Sequence, residues 1–221
     1  MNILVIAPHP DDDVLGCGGS IVNHRKNGDV VSVVYITSGE SGDATVSKTD
    51  LAQTREQEAI QGQKILDVTD TTFLHQPDGG VIINPEILRK MTELIRAKKP
   101  NLVYLPHQKD AHKDHRTTYE IGMEAIYRAG AHAFQEYSGV PFTVDTILAY
   151  EVWTPLTAFS YVENISDSIE QKIKALSQHK SQLANVPYDE AIKGLNRYRG
   201  ALTGKGIFCE CFDVIKLTNL R

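Results

Sequence analysis

Short apolar runs alternate along the chain with longer stretches in which apolar residues recur at helical spacing. Residues 3–6 are four consecutive apolar residues, and Val30–Thr37 is rich in β-branched residues. Runs of this length and branching are typical of strands buried on both faces of a parallel sheet. We therefore predict an α/β fold, a single-domain Rossmann-like three-layer sandwich over residues 1–221, with a mostly parallel sheet and helices on both faces.

Turn residues and helix-terminal signals divide the chain into predicted elements. The predicted strands are residues 3–6, 30–37, 72–74, 102–105, 146–152 and 207–215, and the predicted helices are 14–26, 50–66, 85–98, 114–128 and 167–183. Aspartates 11–13 are expected to cap the first helix, and Asp167 with Glu170 to form a capping box on the last. Residues 131–145 show no clear period and are expected to form a loop over the functional site.

Composition limits the class of partner and the compartment. The formal net charge of −5 argues against nucleic acid as the main partner, because phosphate contacts need clustered Lys and Arg. No apolar run approaches the length of a membrane span, and the amino terminus lacks a secretory signal pattern, so we expect a cytoplasmic protein. The three cysteines cannot all pair, which favours a reducing compartment; Cys209 and Cys211 are interpreted as small buried residues of a strand.

Ligand-type side chains are concentrated directly after two of the predicted strands. His9 and the three aspartates at positions 11–13 follow the first strand, and His112 and His115 follow strand 102–105. Open α/β sheets build their sites at the carboxyl ends of strands, in the crevice between neighbouring strand ends. We therefore expect the two clusters to face each other.

His9, Asp12 and His115 together offer two imidazoles and one carboxylate. Three protein ligands leave one coordination position open for water, which is typical of a catalytic zinc site. Small residues share the helix face of His115 and let that face approach the sheet: Thr118, Gly122, Ala125 and Ala129. The alternatives without a metal are an aspartate-rich helix N-cap and histidines of a solvated loop.

These motifs resemble those of the PIG-L/LmbE family of metal-dependent N-deacetylases, whose pattern is His-Pro-Asp-Asp-Glu followed later by His-x-Asp-His. The corresponding segments here are residues 9–13 and 112–115, and softer matches extend over most of the chain. Asp13 stands where the family has Glu. The resemblance implies a hydrolase that removes the N-acetyl group from an N-acetylglucosamine-type sugar or glycoconjugate, with His9, Asp12 and His115 as metal ligands.

The resemblance also implies catalytic roles for three further residues. Asp11 corresponds to the general base, which takes the proton of the attacking water. His112 corresponds to the histidine that stabilises the oxyanion or protonates the leaving amine, and Asp114 to the carboxylate that orients His112. The alternative for Asp11 and Asp114 is that they only orient the metal ligands.

Arg55 lies on a predicted helix face whose other members are small or apolar: Ala52, Ala59, Gly62 and Leu66. A guanidinium group on a face that meets the sheet needs an anion or a polar ligand. One interpretation is a buried ion pair, for example with Glu40 or Glu58. The other, which the resemblance favours, is substrate binding through a sugar hydroxyl or a phosphate group.

The expected cofactor is Zn²⁺, and the same ligand set accepts Fe²⁺. The expected partner is a small-molecule N-acetylated sugar conjugate whose aglycone stays open, with Trp153, Tyr188 and Tyr198 shaping its pocket; a homo-oligomer is compatible with the sequence. One alternative function is a metal-dependent phosphoesterase, which usually holds two metals and more bridging carboxylates. The other is a non-catalytic module that binds a sugar or a nucleotide.

Overall fold

One sheet of seven strands forms the centre of the computed structural model, which describes residues 1–218. In chain order the strands are β1 Asn2–Ala7, β2 Val30–Thr37, β3 Asp70–Gln76, β4 Leu102–Pro106, β5 Thr146–Tyr150, β6 Tyr161–Asn164 and β7 Cys209–Leu217. Their order across the sheet is β3-β2-β1-β4-β5-β7-β6. β1 to β5 pair in parallel, and β7 is antiparallel to β5 and β6. The predicted α/β class with a mostly parallel sheet is therefore confirmed.

Helices cover both faces of this sheet. In chain order they are α1 Asp12–Lys26, α2 Lys48–Ile65, α3 Pro85–Lys98, α4 Lys113–Gly130, α5 Ile169–Leu176, α6 Lys180–Leu183 and α7 Tyr188–Thr203. Side chains of β1 alternate between two apolar layers, because Val5 lies in the layer of Cys17 and Ala59, and Ile6 in the layer of Ile121. Burial on both faces explains the continuous apolar run of β1. No helix within the described residues is both long and apolar enough to cross a membrane.

The crevice at the centre of the sheet results from the way the chain leaves β1 and β4. α1 leads from β1 to β2, whereas α4 leads from β4 to β5 in the opposite direction, and the two helices pack on opposite faces. The loops at the carboxyl ends of β1 and β4 therefore diverge and leave a crevice, which is where such folds bind ligands. Both predicted clusters begin at these two strand ends.

Most predicted elements are present, with ends shifted by a few residues. β2 and α3 have the predicted bounds. The predicted helix 167–183 is instead divided into α5 and α6, with Ser177 and His179 at the cap positions between them. Two elements are not among those predicted: β6, which has only four residues, and α7, whose first turn follows Pro187.

The predicted side-chain caps are wrong at two helices. Asp11 is the N-cap of α1 and Ser168 that of α5, and neither side chain makes a capping hydrogen bond. The carboxylates of Asp12 and Asp13 accept hydrogen bonds from the His9 backbone and from other elements instead. Partners outside the helix therefore use the carboxylates that the local rule assigned to the helix terminus.

The loop at residues 131–145 does not lie over the crevice, contrary to the prediction. It joins the carboxyl end of α4 to the amino end of β5, where Asp145 N donates to Asn101 O just before β4. Buried Arg96 donates to the carbonyl oxygens of Phe134 and Tyr137 and fastens the loop there. α4 begins at the crevice, which lies at the carboxyl ends of the parallel strands. The loop at the other end of α4 therefore lies at the amino ends of these strands.

α1 is broken near its middle, and a buried ion pair satisfies the backbone groups at the break. Cys17 has φ −143° and ψ 21°, outside the helical region. Lys172 of α5 donates to Leu15 O at 2.8 Å, and Glu210 of β7 accepts from Ser20 N at 2.8 Å. Lys172 Nζ and Glu210 Oε1 are 2.7 Å apart. The pair thus caps both half-helices and fixes the first half, which begins with Asp12.

Removal of the Lys172 ammonium should lower the free energy of unfolding strongly. In Lys172→Met, Glu210 stays buried without its cation, so we expect a loss of about 3–5 kcal/mol in urea unfolding. Lys193→Met breaks the exposed pair with Glu170 and is the matched control, which should change stability little. The double variant Lys172→Met/Glu210→Gln should lose less than the sum of its single changes. Equal losses for the buried and exposed lysines would contradict this account.

Candidate metal and catalytic site

A sharp backbone turn after β1 directs the first cluster into the crevice. Asp11 has φ 141° and ψ −27°, a conformation that residues with a Cβ atom rarely adopt. Thr37 of β2 donates from N and Oγ1 to Pro8 O and fixes the start of this turn. As a result the buried side chains of Asp11 and Asp12 line the crevice together with His9.

Three ligand-type atoms from the two strand ends converge here. His9 Nδ1 lies 2.9 Å from Asp12 Oδ2, and His115 Nε2 lies 3.2 Å from the same oxygen. The two ring nitrogens are 3.3 Å apart, and all three side chains are buried. Ligand atoms about 2.0 Å from a tetrahedral Zn²⁺ ion are about 3.3 Å from one another. The donor set and its spacing therefore fit one divalent cation, and the structure brings the three predicted ligands together.

A carboxylate lies behind each of the two imidazole rings. Asp110 Oδ1 is 3.3 Å from His115 Nδ1, and Asp78 Oδ1 is 3.1 Å from His9 Nε2. A carboxylate beside one ring nitrogen holds its N–H and leaves the other nitrogen free to ligate a metal. The sequence pattern does not predict these contacts of Asp78 and Asp110. Asp78 follows β3 and Asp110 follows β4, and Asp78 also lies in one of the softer matches to the resembling family.

Burial and mutual charge shift the pKa values of this group. Burial raises the pKa of Asp12, but the charges and hydrogen bonds of His115 and His9 outweigh it and hold that pKa below its usual value. Burial lowers the pKa of His115, yet Asp12 and Asp110 outweigh it and raise the pKa to about 9. The carboxylates thus favour positive charge at this point, and a divalent cation would replace the charge of the protonated rings.

Two further groups have ligand atoms within 4.8 Å of one another: His9 with Asp78 and Asp114, and His9 with His112 and His115. The Asp114 carboxylate already accepts from Gly79 N at 2.7 Å and from Val81 N at 3.3 Å. Both oxygens of Asp114 therefore have a backbone donor, whereas on Asp12 one oxygen has such a donor, His9 N. The Nδ1 side of His9, which faces Asp12 and His115, is the stronger candidate for the cation.

Arg55 of α2 holds Asp11 beside the candidate metal ligands. Its Nη2 lies 3.1 Å from Asp11 Oδ2, and the guanidinium group also donates to Pro10 O and Gly39 O. Burial raises the pKa of Asp11 to about 7, although the charge of Arg55 lowers it. A carboxyl group that titrates near neutral pH is suited to take up a proton.

The predicted ion pair of Arg55 is present, but its partner is Asp11 rather than Glu40 or Glu58. Glu40 accepts from the backbone of Asp78, and Glu58 accepts from Ser181. Arg55 also lines the crevice, so its role in substrate binding stays a prediction.

His112 is the half-buried N-cap of α4 and lines the same crevice. Its Nδ1 accepts from Asp114 N, so the neutral ring carries its proton on Nε2. Burial and the neighbouring rings of His9 and His115 lower the pKa of His112, which favours this neutral form. The predicted contact with the Asp114 carboxylate is wrong, because that carboxylate faces the Gly79 backbone and lies 3.6 Å from His9 Nε2.

Asp13, which stands where the resembling family has Glu, points away from the crevice and is fully buried. Its carboxylate accepts from Tyr35 OH at 2.8 Å and from Gln63 Nε2. Burial raises the pKa of Asp13 to about 6. The side chain therefore ties the turn after β1 to β2 and α2, an arrangement that the sequence pattern does not reveal.

The crevice encloses a cavity of about 260 Å³. Trp153 and Tyr188 line it, as predicted, whereas Tyr198 is exposed and is not among its lining residues. Gln182 is a further lining residue, and buried His179 packs against Gly62 instead. The floor of this cavity is polar, and aromatic side chains lie beside it. Such a cavity suits a small polar ligand to which a larger group is attached.

Comparisons of the sequence with known proteins find a matching family and a similar enzyme. The sequence profile of the PIG-L family, described as GlcNAc-PI de-N-acetylase, matches residues 4–126, which include all the candidate ligands and catalytic residues above. The diacetylchitobiose deacetylase of Thermococcus kodakarensis is 30% identical over 215 residues, which cover 92% of this chain and 79% of that protein.

Two solved structures share the fold over the whole chain. The conserved protein TT1542 from Thermus thermophilus has a TM-score of 0.89 and 31% identity, with 97% of its own chain covered. GalB, the 4-carboxy-2-hydroxymuconate hydratase of Pseudomonas putida KT2440, has a TM-score of 0.86 with 99% of its chain covered, but at 20% identity it shows the fold alone. Because the family profile covers more than half of the sequence and a relative at 30% identity covers most of it, the chain belongs to the PIG-L family of de-N-acetylases.

Proposed function

We propose that this protein is a zinc-dependent N-deacetylase that hydrolyses the acetamide of an N-acetylglucosamine-type sugar conjugate to acetate and a free amine. The observation that carries the proposal is the convergence of His9 Nδ1, Asp12 Oδ2 and His115 Nε2 within 3.3 Å of one another beside the Asp11 carboxylate. Membership of the family and the similarity to a diacetylchitobiose deacetylase support the same reaction class.

His9, Asp12 and His115 would hold the cation, and Asp110 and Asp78 would fix the orientation of the two rings. A bound divalent ion would supply a water of lowered pKa and a polarising charge for the amide oxygen. Two nitrogens and one oxygen suit zinc, and they also suit iron(II). Burial of the set excludes competing water and strengthens each charge interaction inside the crevice.

Asp11 acts as the general base in this proposal. Its carboxylate accepts the proton of the water that adds to the acetyl carbonyl carbon, and its pKa near 7 matches neutral conditions. Arg55 keeps Asp11 in place through the 3.1 Å contact and so leaves one carboxylate oxygen directed to the crevice. Arg55 also lines the crevice, and a contact between its guanidinium group and a hydroxyl group of the substrate sugar is part of this proposal.

His112 donates to the oxygen that becomes negative when the tetrahedral carbon forms. The Nε2–H of its neutral ring is available because Nδ1 accepts from Asp114 N. The nitrogen of the substrate must gain a proton before the C–N bond breaks, and the proton held by Asp11 supplies it. Asp114 positions this region, since its carboxylate joins the segment around Gly79 to His9.

Acetate release that depends on a divalent metal is the direct test of the function. We expect the purified protein to release acetate from N-acetylglucosamine conjugates, to lose this activity after dialysis against a chelator, and to regain it with Zn²⁺. Acetate can be measured by a coupled enzymatic assay. Release that survives complete metal removal, or turnover of a phosphate ester with no acetate from any conjugate, would contradict the proposal.

The metal content of variants distinguishes the proposed ligand set from the neighbouring group of His9, Asp78 and Asp114. Asp12→Asn should lower the zinc content from about one per chain to a small fraction, because the shared oxygen is lost. Asp78→Asn is the matched control on the other side of the His9 ring, and it should keep most of the metal. Mass spectrometry of the metal in the purified variants checks this, and loss of zinc in Asp78→Asn alone would move the ion to Nε2 of His9.

Replacement of the general base should reduce turnover without loss of the ion. Asp11→Asn keeps the shape of the side chain but cannot take up a proton, so kcat should fall by about 10²–10⁴-fold at unchanged zinc content. Loss of zinc in this variant would assign Asp11 as a ligand, and unchanged kcat would exclude it as the base.

Gly39→Ala tests the contact between Arg55 and Asp11 without changing either residue. Gly39 has φ 69°, and a Cβ atom there would lie 2.4 Å from the Arg55 guanidinium carbon. Gly28→Ala is the matched control, because Gly28 has φ 80° and no atom within 4 Å of such a Cβ. Both variants should lose about 1 kcal/mol of stability from the positive φ. Only Gly39→Ala should also lose acetate release, by roughly tenfold or more; equal activity would argue against a role for Arg55.

A further inference from the structure

An apolar groove opens directly beside the crevice. It has a volume of about 220 Å³, and its eight lining side chains are all aliphatic or aromatic. They come from α1, from the segment after β5 and from α7, and include Pro155, Ala191 and Leu195. Among them only the indole of Trp153 and the hydroxyl of Tyr188 carry polar side-chain atoms.

The groove and the crevice are continuous. Leu15, Trp153 and Tyr188 line both. Trp153 and Tyr188 meet edge to face with ring centroids 5.3 Å apart, and 48% of the Trp153 surface is exposed. A ligand with its acetamide at the candidate metal ligands would therefore place its other end against these rings.

Two buried carboxylates fix the walls of the groove relative to the candidate ligands. Asp110 Oδ2 accepts from Trp153 N at 3.0 Å, while its other oxygen faces the His115 ring. Glu151, next to β5, pairs with Arg199 of α7 at 2.6 Å. The groove thus exists as a formed surface rather than as a gap between loose loops.

Charge and polarity decide which chemical group suits the groove. The adjoining part of the crevice carries the carboxylates of Asp11, Asp12 and Asp78. Among the described residues that line it, Arg55 is the only basic one other than histidine. Arg55 is already bound to Asp11 and two carbonyl oxygens. An anionic aglycone therefore lacks a partner, and the hydroxyl groups of a second sugar would find almost no hydrogen-bond partners on these walls.

We propose that this groove is an aglycone subsite for an uncharged apolar ring, so that the preferred substrates are N-acetylglucosamine-type sugars with an aryl or benzyl-like aglycone. This inference rests on the proposed deacetylase function and names the substrate class of that site. An apolar cavity of about 150 Å³ accommodates benzene, so the volume of the groove suits one six-membered ring with a short linker.

Trp153 reports binding directly, because it is the only tryptophan in the chain. The chelator-treated protein is titrated with the benzyl glycosides of N-acetylglucosamine, both anomers, and with the methyl glycosides and diacetylchitobiose for comparison. One benzyl anomer should shift and quench the Trp153 emission with saturation, at a Kd at least about tenfold below those of the methyl glycosides and diacetylchitobiose. Equal Kd values, or tighter binding of diacetylchitobiose, would overturn the proposal.

A charged side chain in the groove supplies the second test. Ala191→Asp places a carboxylate on an exposed lining position of α7, and Ala201→Asp is the matched control on the same helix away from the groove. In the zinc-loaded protein, Ala191→Asp should lower the ratio of kcat/KM for benzyl over methyl glycoside by about tenfold, and Ala201→Asp should leave it unchanged. An unchanged ratio in Ala191→Asp would overturn the proposal.

The outcomes distinguish this inference from the function on which it rests. Acetate release from methyl and benzyl glycosides with equal kcat/KM keeps the function and overturns the subsite. Absence of acetate release from every conjugate overturns the function. A Trp153 response to the benzyl glycoside that disappears as the protein concentration rises would show that a second copy of the chain covers the groove, which also overturns the subsite.

Discussion

The arrangement of the site depends on the contacts of the buried Asp12 carboxylate with two histidine rings. One of its oxygens lies within 3.2 Å of two imidazole nitrogens whose residues, His9 and His115, are 106 positions apart. A buried charge is costly unless it is paired, so this oxygen requires that the ends of β1 and β4 lie side by side. Other contacts also hold this part of the chain in position. Asp13, Arg55 and the Lys172–Glu210 pair each fix part of the segment that carries Asp12.

The local sequence was sufficient to predict those elements in which burial alone determines the spacing of apolar residues. β1, β2 and α3 follow directly from apolar spacing, and the two ligand clusters follow from their places after strands. Several of the wrong predictions depended on partners in other segments of the chain. The capping aspartates bind other elements, the Asp114 carboxylate faces the Gly79 backbone, and residues 131–145 are fastened by Arg96 at the far edge of the sheet. Apart from His9 N, which lies three residues before Asp12, these partners are distant along the chain, so spacing carries no signal for them.

The fold alone does not determine the reaction. A hydratase shares this architecture with a TM-score of 0.86 at 20% identity, and folds of this kind carry many chemistries. The chemistry depends instead on the atoms at one strand-end crevice, where two buried imidazole nitrogens and a carboxylate oxygen lie beside a carboxyl group with a pKa of about 7. The apolar groove next to that polar crevice adds a second chemical character. Together they describe a ligand that is polar at one end and apolar at the other.

Asp110 has a consequence for how proteins of this design can change over time. One carboxylate faces the His115 ring and also accepts from the backbone of Trp153 and Thr154. Exchange of the segment after β5 would remove both backbone donors to Asp110 Oδ2 and leave His112 N, which donates to Oδ1 beside the His115 ring. A change of that segment therefore also affects the surroundings of a candidate metal ligand, and a loop transplanted from a relative would have to bring backbone donors in the same two positions.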